Sequence, residues 1–134
     1  MKPKLLYRIA SVLLVLFSIG HTLGFRRTES QWGVDTLVAS MQTIQFRVQG
    51  FNRTYWDFYV GFGLFVTVFL LFAAVLSWQL GATEEDTLKK VRPIRWAFAA
   101  CFAGVAVLTW MHFFMAPDIF SSLVTACLVY AAWI

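Results

Sequence analysis

Three side chains able to do chemistry, His21, Asp57 and His112, stand within or at the edge of apolar sequence. An aspartate beside a histidine raises the imidazole pKa and makes an acid–base pair able to work near neutral pH. Two histidines and one carboxylate could instead hold a metal with open positions, and the two histidines alone could ligate a haem iron from opposite sides. No local spacing such as HxxxH or ExxH favours either, so the expectation is a chain with no metal and no cofactor. A structural role is the other reading: Asp57 pairs with Arg53, Arg47 or a histidine and ties helices together at an interface. Ionisable groups in apolar sequence are costly and by default suggest a functional site. His21, Asp57 and His112 are therefore the catalytic candidates. With Thr22, Gly61 and Met115 they form a candidate ligand-binding set, in which Met111 and Met115 beside His112 supply adaptable apolar lining.

The elements that must position these groups follow from composition. The 134 residues are 60% hydrophobic and 13% charged, with a mean hydropathy of +0.70. A soluble domain of this size carries roughly a quarter charged residues, so a soluble enzyme is excluded. Four stretches contain no Asp, Glu, Lys or Arg: Ile9–Phe25, Phe58–Leu80, Trp96–Ala116 and Ile119–Ile134. About 20 apolar residues cross a hydrocarbon core of about 30 Å. The spacing predicts an all-α membrane protein, a four-transmembrane-helix bundle in one domain with spans near 5–25, 56–80, 94–116 and 119–134. The first needs Arg8 to snorkel. The fourth, at about 24 Å, needs a thinned membrane or a terminus near the interface.

The basic start resembles a signal sequence, but the run ends in His21-Thr22-Leu23-Gly24-Phe25-Arg26-Arg27, without a small-x-small cleavage site, so a retained anchor is expected. With the N-terminus inside, Lys2, Lys4, Arg8, Lys89, Lys90, Arg92 and Arg95 face inward, against Arg26, Arg27, Arg47 and Arg53 outward. That bias predicts cytoplasmic N- and C-termini. The net charge of +4 then reflects topology and membrane-lipid headgroups; no basic, aromatic-interleaved stripe suggests nucleic acid. Cys101 and Cys127 fall at different depths by helical rise, which argues against a disulfide.

The connections differ in content. Residues 81–95 read as a solvated turn of helix with Pro93 opening the third span. Residues 34, 37, 38, 41, 44 and 48 form one apolar helical stripe, predicting an amphipathic helix over 34–48 on the outer leaflet, as a spacer or as a lid over a pocket. Gly50 is placed to end it. Asn52-Arg53-Thr54 matches the glycosylation acceptor pattern but lies too close to the next span.

Facing completes the expectation. On the third span Ala97, Cys101, Gly104, Leu108 and His112 share a mostly small-residue stripe, which suits close packing and would point His112 inward. Ser11, Ser18 and Thr22 make a polar stripe on the first span, with His21 on its flank. Gly61 and Gly63 permit close approach of a backbone or ligand, and Ser121, Ser122 and Thr125 supply hydroxyls on the fourth span. Phe58, Phe62, Phe65, Phe69 and Phe72 read as lipid-facing bulk, while the tryptophans near span ends form an interfacial belt.

Gly20-His21-Thr22-Leu23-Gly24-Phe25 and Tyr55-Trp56-Asp57-Phe58-Tyr59-Val60-Gly61-Phe62-Gly63-Leu64 resemble the G-H-T-x-G and W-D-F-Y-x-G-F-G elements of a family of small bacterial four-helix integral membrane proteins. The resemblance covers nearly the whole chain. It implies a multi-pass bacterial inner-membrane protein and directs attention to His21 and Asp57, without bringing a substrate, cofactor or reaction. Three functions remain open. One is binding of a lipid-like or apolar ligand in an outer-leaflet cavity; another is proton transfer by the His/Asp groups on a lipid-soluble substrate. The third is a structural role as a homo-oligomer or as a subunit beside another membrane protein.

Overall fold

The computed structural model describes residues 2–134. The chain forms α1 (Pro3–Gly24), a 3-10 turn (Ser30–Trp32), α2 (Asp35–Thr43), β1 (Gln45–Val48), β2 (Phe51–Thr54), α3 (Tyr55–Ala82), α4 (Glu85–Lys90), α5 (Arg92–His112) and α6 (Met115–Trp133). Helices α1, α3, α5 and α6 are long and apolar enough to cross a membrane. The protein is thus an all-α membrane protein with four such helices and a short amphipathic helix between the first two.

Two expectations about boundaries are corrected. The third span ends at His112, not at 116, and α6 begins at Met115. Pro117 lies in the first turn of α6, where its missing N–H costs nothing, and Asp118 beside it complements the helix dipole. At 19 residues α6 is about 28 Å long and needs no thinned membrane. The amphipathic helix also stops at Thr43, and residues 45–54 form an antiparallel hairpin pairing Gln45 with Thr54 and Val48 with Phe51. Gln49 and Gly50 both have positive φ, 48° and 89°, as a two-residue primed hairpin turn requires. Gly50 therefore turns a hairpin and does not end a helix.

The chain divides into two compact units: residues 2–17 with 70–134, and residues 18–69. Helices α1 and α3 contribute to both.

The first unit is a four-helix bundle built on small residues. Ala10, Ala73, Ala74, Ala99, Ala131 and Ala132 are buried with Leu14, Leu70, Phe102, Val124 and Leu128. Lipid tails are as apolar as leucine, so close packing and interhelical hydrogen bonds must hold such helices. Small residues let hydroxyls reach neighbouring backbones. Ser11 donates to the Ala74 carbonyl of α3 at 2.8 Å, and Ser77 of α3 donates back to the Tyr7 carbonyl of α1 at 2.8 Å. Thr125 of α6 donates to the Phe102 carbonyl of α5 at 2.9 Å, and the Thr109 and Ser121 hydroxyls meet at 2.7 Å.

Arg95 completes this unit, and the sequence misplaces it. Grouped with the loop cations, it lies in the first turn of α5 and is only 4% exposed. Its Nε donates to the Tyr7 hydroxyl at 3.0 Å, Nη1 to the Leu88 carbonyl at 3.3 Å and Nη2 to the Ala131 carbonyl. Neutral acceptors from α1, α4 and α6 thus hold the cation. Arg8 instead lies 3.6 Å above the Trp78 ring and packs against Gly81. Helix α4 is the expected solvated turn, with a Lys89–Asp86 contact of 3.2 Å. Pro93 sits in the first turn of α5.

The small-residue stripe of α5 faces the other way from expectation. Ala97, Cys101, Gly104, Leu108 and His112 are exposed, and Arg95, Phe98, Ala99, Phe102 and Thr109 are the buried face. Two phenylalanines fill the interior against the alanines of α6, so the narrow side of α5 is left outward.

Candidate functional site

The second unit contains both motifs that drew attention in the sequence, and they interlock. His21 lies in the last turn of α1, and its Nε2 donates to the Gly63 carbonyl of α3 at 2.9 Å. A carbonyl only accepts, so Nε2 carries a proton. The imidazole stacks on Phe25, centroids 5.1 Å apart and planes 13° apart. The Phe25 ring occupies the space a Cβ on Gly63 would need, and the Tyr59 hydroxyl donates to the Phe25 carbonyl. The residue after His21, Thr22, bonds the Ser18 carbonyl at 2.7 Å and meets the Thr67 hydroxyl at 2.9 Å. The polar stripe and the close approach at Gly63 are as expected. Gly61 has nothing within 4 Å of its Cβ position, so the approach is made at one of the two glycines.

Asp57 has a different employment. The Thr54 backbone N–H donates to its Oδ2 at 2.8 Å, and its own N–H donates to the Thr54 hydroxyl at 3.1 Å. This reciprocal pair is a capping box, satisfying two backbone donors at the start of α3. The ion pair expected with Arg53, Arg47 or a histidine is absent: among the described residues the one ion pair is Lys89–Asp86. The signal was in the sequence, a Thr-x-x-Asp directly before an apolar run.

The hairpin and α2 create the concave surface. Phe46 of β1 stacks on Phe58 at 5.8 Å and tilts against Tyr55 at 5.0 Å. Met41, Phe46, Tyr55, Phe58, Tyr59 and Phe62 line an open, largely apolar recess of about 430 Å³. Arg53, Asp57, Phe58, Gly61, Phe62 and Phe65 line a second, of about 260 Å³. Phe58 and Phe62 wall both, so the two recesses adjoin along the same stretch of α3, and the second has a charged end. Phe46 and Arg53 are cross-strand partners, and directly paired residues project to the same face of a hairpin. Arg53 therefore shares the side of the hairpin that Phe46 turns toward α3.

The candidate residues thus separate into three places. His21 and Thr22 brace α1 on Gly63 and Thr67. Asp57 and Gly61 line the cleft with Arg53, which sequence reasoning did not include. Six residues separate Asp57 from Gly63, about 9 Å of rise and about 240° of rotation, so these two lie on different faces of α3, while Tyr59 both lines the recess and bonds the Phe25 carbonyl. His112 and Met115 belong to the other unit, where both are exposed. Among the described residues no three of His, Cys, Asp and Glu are grouped to hold a metal ion. No protein-family model, curated protein or solved structure matches this chain.

Proposed function

We propose that the protein is a multi-pass protein of the bacterial inner membrane, with cytoplasmic termini, that holds a lipid-like amphiphile in the cleft at the head of α3. The carrying observation is the lining of the two adjoining recesses: an aromatic one and, sharing Phe58 and Phe62 with it, a groove lined also by Arg53 and Asp57. Apolar walls with a few convergent polar groups are the ordinary build of a small-molecule site. The bias of basic residues supports the orientation, which puts the hairpin on the outer side. The brace at His21 supports a positioning role for the motif residues: it fixes the start of α3 under the hairpin.

Co-purifying lipid provides the test. Phe58→Ala and Phe62→Ala should reduce bound lipid severalfold with the chain still folded, Phe58→Ala also losing its stack on Phe46, whereas Phe72→Ala, an exposed ring outside the cleft, should not reduce it. Equal lipid content in all three variants and the parent would remove the proposal.

A further inference from the structure

The charged end of the cleft offers two opposite charges that do not pair with each other. Arg53 donates from Nη1 to the Asn52 carbonyl at 2.9 Å, and its guanidinium lies 5.3 Å from the Phe51 ring. No carboxylate lies within ion-pair distance of it among the described residues. Asp57 accepts the Thr54 N–H through Oδ2 and is exposed, and its Oδ1 makes no hydrogen bond to the described residues. Both line the same groove, beside Phe58, Phe62 and Phe65.

We infer that the occupant is a zwitterionic aminophospholipid. Its phosphate meets the forked N–H donors of Arg53, its primary ammonium meets Asp57, and an acyl chain runs along Phe58, Phe62 and Phe65. The inference rests on the amphiphile site proposed above and adds its headgroup. A purely anionic lipid satisfies Arg53 but is repelled by Asp57. A neutral chain offers neither charge a partner and so gains nothing at this end of the groove over the contacts already present. A headgroup carrying both signs answers each charge with a charge-assisted hydrogen bond.

The test uses the full chain in nanodiscs, a photoreactive acyl-chain analogue of phosphatidylethanolamine, and mass-spectrometric mapping of the labelled residues. Labelling should fall within 53–65. Unlabelled phosphatidylethanolamine should compete about fivefold better than phosphatidylglycerol, the size of one exposed charged contact. Asp57→Asn keeps an oxygen for the Thr54 N–H and so preserves the cap; it should abolish that preference while labelling persists. Arg53→Gln should weaken competition by both lipids alike. Phosphatidylglycerol competing as well as phosphatidylethanolamine, or a preference that survives Asp57→Asn, would overturn the headgroup assignment and leave the amphiphile site standing. Absence of label from 53–65 would overturn the site itself.

Discussion

The two units of this protein differ in how they satisfy most of their polar side chains, although buried Asp118 in the four-helix unit keeps Oδ1 without a hydrogen-bond partner among the described residues. In the four-helix unit, Ser11, Ser77, Thr125 and Arg95 all donate to carbonyls on neighbouring helices, and the residues around them are alanines and leucines at full burial. In the unit of residues 18–69, His21 also donates to a carbonyl of the neighbouring helix and Thr22 meets the Thr67 hydroxyl there, but Arg53 and Asp57 are held by groups close to them in sequence. The walls there are aromatic and partly open. Polar groups matched across helices make a closed structure. Polar groups satisfied locally, beside large rings, leave capacity for something else.

Breaking the closed unit should have the largest effect. Arg95→Ala removes the donor shared by Tyr7, Leu88 and Ala131 and should lower unfolding stability by about 2–4 kcal/mol, since each buried acceptor left bare carries a penalty. Arg95→Lys should recover little of it, because one ammonium cannot reproduce the fork. A loss below about 0.5 kcal/mol in detergent unfolding would contradict the closed description.

The brace in the other unit should respond less strongly and in a coupled manner. Gly63→Ala should cost about 1–3 kcal/mol by forcing the Phe25 ring aside. Adding Phe25→Ala should return about 1 kcal/mol or more of the expected sum, because the clash disappears with the ring. Strict additivity would show that Gly63 and Phe25 act independently.

The mildest perturbation sharpens the contrast within the closed unit. Ser11→Ala and Ser77→Ala should each cost about 0.6 kcal/mol, the average for such bonds in membrane helices. Detergent-unfolding midpoints of the single and double variants measure this, and no change in the double would deny the reciprocal clasp.

Much of this was legible because the bilayer imposes it. Charge-free runs located all four spanning helices, and the Ser11–Ser18–Thr22 stripe marked the buried face of α1. Spacing misled where two periods coincide: Ile44 and Val48 fit a helical stripe, yet Ile44 ends α2 and Val48 ends β1, whose turn is marked by Gln49-Gly50. The small residues of α5 misled for another reason. Small side chains permit close packing, but Phe98 and Phe102 on the opposite face had more surface to bury. Within the site, the Thr-x-x-Asp cap is readable in the sequence, but an aspartate at the edge of an apolar run satisfies the pattern of a catalytic group equally well. Arg53 was hidden because only the cross-strand register with Phe46 reveals its side of the hairpin.

The contacts of Arg95 also bear on how the protein is made. Its partner Tyr7 precedes it by 88 residues, whereas Ala131 follows it by 36. At roughly 5–20 residues per second, that acceptor is synthesised about 2–7 s after the arginine. During this interval α5 carries a guanidinium whose last carbonyl does not yet exist, so it must remain near headgroups or translocon water. Full seating of α5 should therefore await the arrival of α6, and a chain arrested on the ribosome before Ala131 is made should leave Arg95 one acceptor short.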